Sequence, residues 1–204
     1  MTDSLSPTEP DYAALIGSRI CHDLISPIGA IGNGVELLQM GGGSASGPEF
    51  ALIAESAASA NARIRFFRLA FGAATAGQRL SRSEVQTTLA DLVRGTRIRI
   101  DWSSTADLGR TEVKLACLAL MCLETAMPRG GEITIRQGPT GWRILGTALR
   151  LRIDDALWSA LPSTPAAAVL TPGLVHFGLF AEELRRQSVN LTLSVAENEI
   201  EMRF

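Results

Sequence analysis

The chain has 204 residues, 46% of them hydrophobic, with 19 basic side chains against 21 acidic ones and a formal charge of −2. That length supports one large domain or two small ones around a sizeable core, and so even a charge balance predicts neither nucleic-acid nor membrane binding. Its three cysteines and two histidines fall at no metal-ligand spacing, which argues against a zinc centre and for reduced thiols in a cytoplasmic protein.

Residues 1–11 form a polar, acidic leader without a signal-peptide pattern. From Tyr12 to Met40 the apolar positions Ile16, Ile20, Leu24, Pro27, Ile31, Val35 and Leu38 recur at steps of three and four, the stripe of an amphipathic helix. "GGGSASG" (41–47) cannot continue it and reads as a turn. Pro48 suits the first turn of a second helix over 48–72. That helix carries a heptad seam of Phe50, Ile53, Ala57, Ala60, Ile64, Phe67 and Phe71. Two such helices make an antiparallel hairpin over 12–77. A hairpin cannot bury both stripes alone, so a homodimer closing a four-helix bundle is expected.

From residue 81 onward the texture changes. Ser81 and Glu84 form a capping-box pattern ahead of a helix. "RIRIDW" (97–102) alternates like a strand, and "TEVKLACLALMCLETAM" (111–127) is apolar nearly all round, like a buried helix. Two strands follow in 130–138 and 142–153, then a short helix in "DDALWSAL", a longer one over 172–188, and a strand hairpin over 190–204. The order α-β-α-β-β-α-α-β-β predicts an α+β fold for 81–204, one mixed sheet covered by helices.

Within the first helix, "SRICHDLISPIGAIGNGVELL" (18–38) holds three anomalies: a His-Asp pair, a proline and three glycines. At 100° per residue His22 lies about 200° from Ile20, opposite the apolar stripe. Its neighbours there are Ser18, Ser26, Gly29 and Asn33, with Arg19 at the flank. A face this low lets something large and flat approach the imidazole. Gly29, Gly32 and Gly34 each cost about 1 kcal/mol relative to Ala inside a helix, a cost that close approach of a partner or of the neighbouring helix explains. Pro27 removes the bond back to the Asp23 carbonyl and bends the helix one turn beyond His22. Imidazole is a competent nucleophile near neutral pH. Asp23 suits orienting the ring or taking up a proton. Arg63, Arg65 and Arg68 crowd the end of the second helix that lies level with His22, where they could steer an acidic partner or act as ordinary helix-dipole partners. His176, in apolar "GLVHFGLF", reads as a core histidine.

"HDLISPI" (22–28) resembles the phosphoacceptor box of dimeric histidine kinases, and "LALMCLETAMPRGGEITI" (118–135) resembles the start of the kinase ATP-binding domain. Glu124 and Thr125 stand where that family has a magnesium-binding asparagine. "RIDDALWSAL" and "LTPGLVHFGLF" replace its glycine-rich boxes. Phosphate cradles need glycines so that backbone N–H groups can close in. A retained acceptor beside lost nucleotide boxes is similar to the ChpT-type histidine phosphotransferases of alphaproteobacterial phosphorelays, over essentially the whole chain. The resemblance implies a dimeric four-helix bundle and a degenerate kinase ATPase-like domain that binds no ATP and needs no cofactor. His22 would take a phosphoryl group from the receiver domain of a hybrid histidine kinase and pass it to response-regulator receivers, which bring their own magnesium. Arg19 would steady phosphoryl oxygens or serve structurally, Ser26, Gly29 and Asn33 would form the docking floor, and residues 149–161 could supply a second receiver contact.

Overall fold

A computed structural model of the chain describes residues 10–40, 47–161 and 170–204. The expected leader, apart from residues 10 and 11, and the expected turn over 41–47, apart from Gly47, lie outside the described residues. Helix α1 (Tyr12–Met40) runs unbroken through Pro27, and α2 (Pro48–Ala70) returns against it. The remaining elements are β1 (Arg79–Ser81), α3 (Arg82–Leu92), β2 (Ile98–Ser103), β3 (Asp107–Gly109), α4 (Arg110–Ala126), β4 (Gly131–Gly138), β5 (Gly141–Thr147), α5 (Asp155–Ser159), a 3₁₀ turn (Pro172–Leu174), α6 (Val175–Arg186), β6 (Thr192–Val195) and β7 (Glu199–Arg203).

Local chemistry starts the helices where the sequence says it should. Ser81 Oγ accepts from the Glu84 amide at the head of α3, and Asp154 Oδ1 accepts from the Leu157 amide at the head of α5. Such caps satisfy N–H groups that the helix cannot.

Among the described residues five strands form one mixed sheet in the order β2-β4-β5-β7-β6, with only β2 and β4 parallel. Alternation along the strands sends Ile133, Ile135, Ile144, Ile200 and Met202 to one face, where they are buried beneath α4 and α6. The other face carries ion pairs, Arg136 with Asp101 and Arg143 with Glu201. Helix α4 is buried almost all round, as its composition predicts, because the sheet lies on one side and α2 and α6 on others. The architecture is α+β, a helical hairpin leaning on the helix layer of a two-layer unit: α1 against α6, and α2 against α3 and α4.

Three details depart from the sequence reading. The strand expected over 142–153 ends at Thr147, because both neighbours run out there: Thr147 pairs with Glu132 on one side and Glu199 on the other. The alternating residues beyond have no ladder to join, and the Arg152 amide instead donates to the Ala126 carbonyl. Strands β1 and β3 were not anticipated and form a separate two-stranded sheet. The α2 seam also divides. Ala60 and Phe67 are buried, whereas Phe50 and Ile64 remain 48% and 43% exposed. A further face of α2 (Phe66, Leu69, Ala70) is buried among the residues of the C-terminal unit.

Candidate active site

The outward face of α1 presents the His22 imidazole almost fully to solvent, its side chain 84% exposed. Its Nδ1 lies 3.0 Å from Asp23 Oδ1. A carboxylate oxygen at this distance suits an N–H on Nδ1, and the ring then turns Nε2 away from Asp23. Asp23 itself is nearly buried, at 9% exposed, and its second oxygen accepts from Arg19 Nε at 2.8 Å, one helical turn earlier. Arg19 Nη1 donates in turn to the Gly173 carbonyl at 2.7 Å, in the 3₁₀ turn that leads into α6.

Two further charges approach this chain of contacts. Glu124 of α4 feels both Arg19 and Arg63 of α2 as well as Asp23. Burial raises the Glu124 carboxyl above the usual range; the two arginines oppose that, and Asp23 adds to it. Glu124 is an exposed residue of α4, and water in contact screens that push.

The small-residue face is open. Ser26, Gly29 and Asn33 are all exposed, and a methyl group added at Gly29 would meet nothing within 4 Å. Gly34 is different: a Cβ there would lie 2.6 Å from Ile53 Cγ1 and 3.4 Å from the Glu49 carbonyl. Here α1 packs tightly against α2. This contact also sets the register. Twelve residues back from Gly34 is His22, and twelve on from Ile53 is Arg65, so both helices, rising equally per residue, bring these two to one level.

Of the three arginines expected near that level, the structure brings Arg63 into the field of Glu124 beside Asp23. Arg65 turns to α3 and pairs with Asp91 at 2.7 Å. Arg68 lines a groove with Arg79, Ser81 and Glu84, and its carbonyl accepts from the buried Arg110. His176 is fully buried. Burial holds its imidazole down to about 3, with the nearby Arg19 charge adding to the effect. Its Nε2 lies 3.0 Å from Thr125 Oγ1, so it is an uncharged core group. Sequence reasoning missed the Gly173 carbonyl, which carries no side-chain signal. It noticed Glu124 only as a replacement.

Residues 82–199 match the family described as histidine phosphotransferase C-terminal domain. The chain belongs to the histidine phosphotransferase family. The match begins at the first residue of α3, so the hairpin lies outside it. A curated relative, protein phosphotransferase ChpT of Brucella abortus (strain 2308), is 42% identical over 128 residues, covering 62% of this chain and 60% of the relative. The chain thus spans under two thirds of that relative's length. A solved structure described as a bacterial phosphotransferase shares 29% identity at a TM-score of 0.77 and covers 99% of this histidine phosphotransferase chain and 97% of its own, hairpin included.

Proposed function

We propose that this chain is a phosphorelay histidine phosphotransferase in which His22 accepts a phosphoryl group from the aspartyl phosphate of a hybrid kinase receiver and passes it to response-regulator receivers. The observation that carries this reading is the exposed imidazole whose Nδ1 is held by Asp23, leaving Nε2 as an outward nucleophile. Nε2 attacks phosphorus, the N–P bond forms, and the P–O bond to the receiver carboxylate breaks with its electron pair. The phosphoimidazolium keeps its Nδ1 hydrogen on Asp23, so no proton has to move. Transfer of this kind rests on positioning and charge stabilisation, and the magnesium and acidic pocket belong to the receiver. Among the described residues no group of three His, Cys, Asp or Glu is placed to hold a metal ion.

The open floor of Ser26, Gly29 and Asn33 receives the receiver, Arg63 supplies positive charge beside it, and Leu149, fully exposed, marks the second contact region. The working form in this reading is a cytoplasmic homodimer that binds no ATP and contacts neither nucleic acid nor membrane. Ile25 and Ile28 of α1, at 70% and 57% exposed, and Phe50 and Ile64 of α2, at 48% and 43%, leave the hairpin with uncovered apolar surface. This apolar surface supports the four-helix bundle.

Incubation with a radiolabelled, phosphorylated receiver tests the reading. Label should move to the wild-type chain and not to His22→Ala. Labelling of the Ala variant would refute the site, and labelling from ATP alone would make the chain a kinase.

A further inference from the structure

The acceptor histidine is tied to a place 154 residues away in sequence through a single side chain. Arg19 uses two edges of its guanidinium for two different elements: Nε for Asp23 on its own helix and Nη1 for the Gly173 carbonyl of the C-terminal unit. A planar fork fixed at two non-collinear points keeps little rotational freedom. The Gly173 carbonyl is itself well anchored, since Val175, Phe177 and Phe180 of the helix that follows are fully buried.

An exposed i,i+4 pair alone contributes little and would leave Asp23 free to turn to water. Here Asp23 is nearly buried, and each of its oxygens has its own partner, the imidazole on one and Arg19 on the other. Glu124, on the helix packed against α6, places a counter-charge near Arg19. With Nε and Nη1 both taken, the guanidinium is committed to the protein rather than to an incoming phosphoryl group.

We propose that Arg19 is a positioning residue: by clamping Asp23 between α1 and the Gly173 carbonyl, it holds the His22 imidazole in the Nδ1–H tautomer, with the Nε2 lone pair turned out. The tautomer matters because a hydrogen on Nε2 would occupy the electron pair that attacks phosphorus. The clamp also gives the C-terminal unit a part in the chemistry that requires no ligand of its own: it holds one end of the guanidinium. This inference rests on the phosphoacceptor reading of His22.

The chain has only two histidines, so their imidazole nitrogens can be followed separately by ¹⁵N NMR, with His22→Ala supplying the assignment. At about pH 8, where ordinary imidazole is uncharged, wild-type His22 should show its hydrogen on Nδ1. Arg19→Gln should shift the ring towards the Nε2–H form and slow phosphoryl acceptance about tenfold, the lower end for loss of an outer-shell partner. Arg19→Lys retains charge but offers one compact donor point instead of a fork, so it should fall between the two. Unchanged far-UV circular dichroism reports that the fold is intact in each variant. The inference is overturned if Arg19→Gln keeps the wild-type tautomer, or if transfer slows with no tautomer change. Should label never reach His22 in the wild type, the phosphoacceptor reading fails, while the tautomer comparison still decides the clamp.

Discussion

Two glycines in one helix should respond oppositely to the same methyl group. Gly29 and Gly34 both lie inside α1, and each loses about 0.8–1 kcal/mol of helix propensity relative to Ala. At Gly29 the added Cβ meets open space, so Gly29→Ala should stabilise the chain by about 1 kcal/mol. At Gly34 it would stand 2.6 Å from Ile53 Cγ1 and 3.4 Å from the Glu49 carbonyl. Cγ1 sits on the β-branch, close to its own backbone, so the contact is relieved only by separating the helices. Overpacking of this kind costs roughly 1–3 kcal/mol. The propensity gain is common to both variants and cancels in their difference, which leaves the overpacking cost by itself. At about 2–4 °C per kcal/mol for a chain of this size, Gly34→Ala should melt roughly 2–12 °C below Gly29→Ala. Thermal unfolding followed by circular dichroism at matched concentration makes the comparison. Equal melting temperatures would show that the hairpin is not closely approached at Gly34. A destabilised Gly29→Ala would show that its face is covered rather than open. If Gly29 belongs to the docking floor, the stabilised variant should also be the slower phosphate acceptor, the usual cost of tightening a functional surface.

Two further outcomes follow from burial. His176 is uncharged in the fold, while the unfolded chain takes up its proton near pH 6.5. Below that pH the unfolded state binds more protons, so stability should fall by up to about 1.4 kcal/mol per pH unit from this group until about pH 3, with no contribution above 6.5. Urea titrations at several pH values should show a shallower fall for His176→Gln; coincident slopes would place water or charge at the buried ring. If the exposed apolar residues of the hairpin form the proposed dimer contact, Ile28→Glu should leave the chain monomeric by light scattering where the wild type is dimeric. Removing two buried isoleucines forfeits roughly 3–6 kcal/mol, and an unchanged mass would rule that surface out as the interface.

What the sequence carried was periodicity and what it lacked was distance. The stripe from Ile16 to Leu38 is local, and α1 forms over the range it predicts. Helix α4 is likewise legible, since a segment apolar all round has to be buried on every side. The α2 stripe misled because two burial surfaces overlap on it, one for α1 and one for the C-terminal unit. A single periodicity cannot separate them. Strands β1 and β3 escaped because each is three residues long and they pair across 26 to 30 positions, from Ser81 with Asp107 to Arg79 with Gly109. At the site, the small face and the His-Asp pair were readable from helical angles. The Arg19 to Gly173 bond was not, because its acceptor is a backbone carbonyl in a distant turn.

The position of β7 has a consequence for when the histidine becomes competent. That strand, Glu199–Arg203, is an inner strand of the sheet, bonded to β5 on one side and β6 on the other. Helix α6 rests on that sheet, and the turn before it supplies the carbonyl that Arg19 grips. During synthesis α1 emerges early, yet the sheet cannot close until residues beyond 200 are available. A nascent chain therefore displays His22 long before the clamp behind it can assemble. Late, long-range closure of this kind is the slow part of folding, so a chain truncated within the sheet would keep His22 and lack the Arg19 to Gly173 contact behind it.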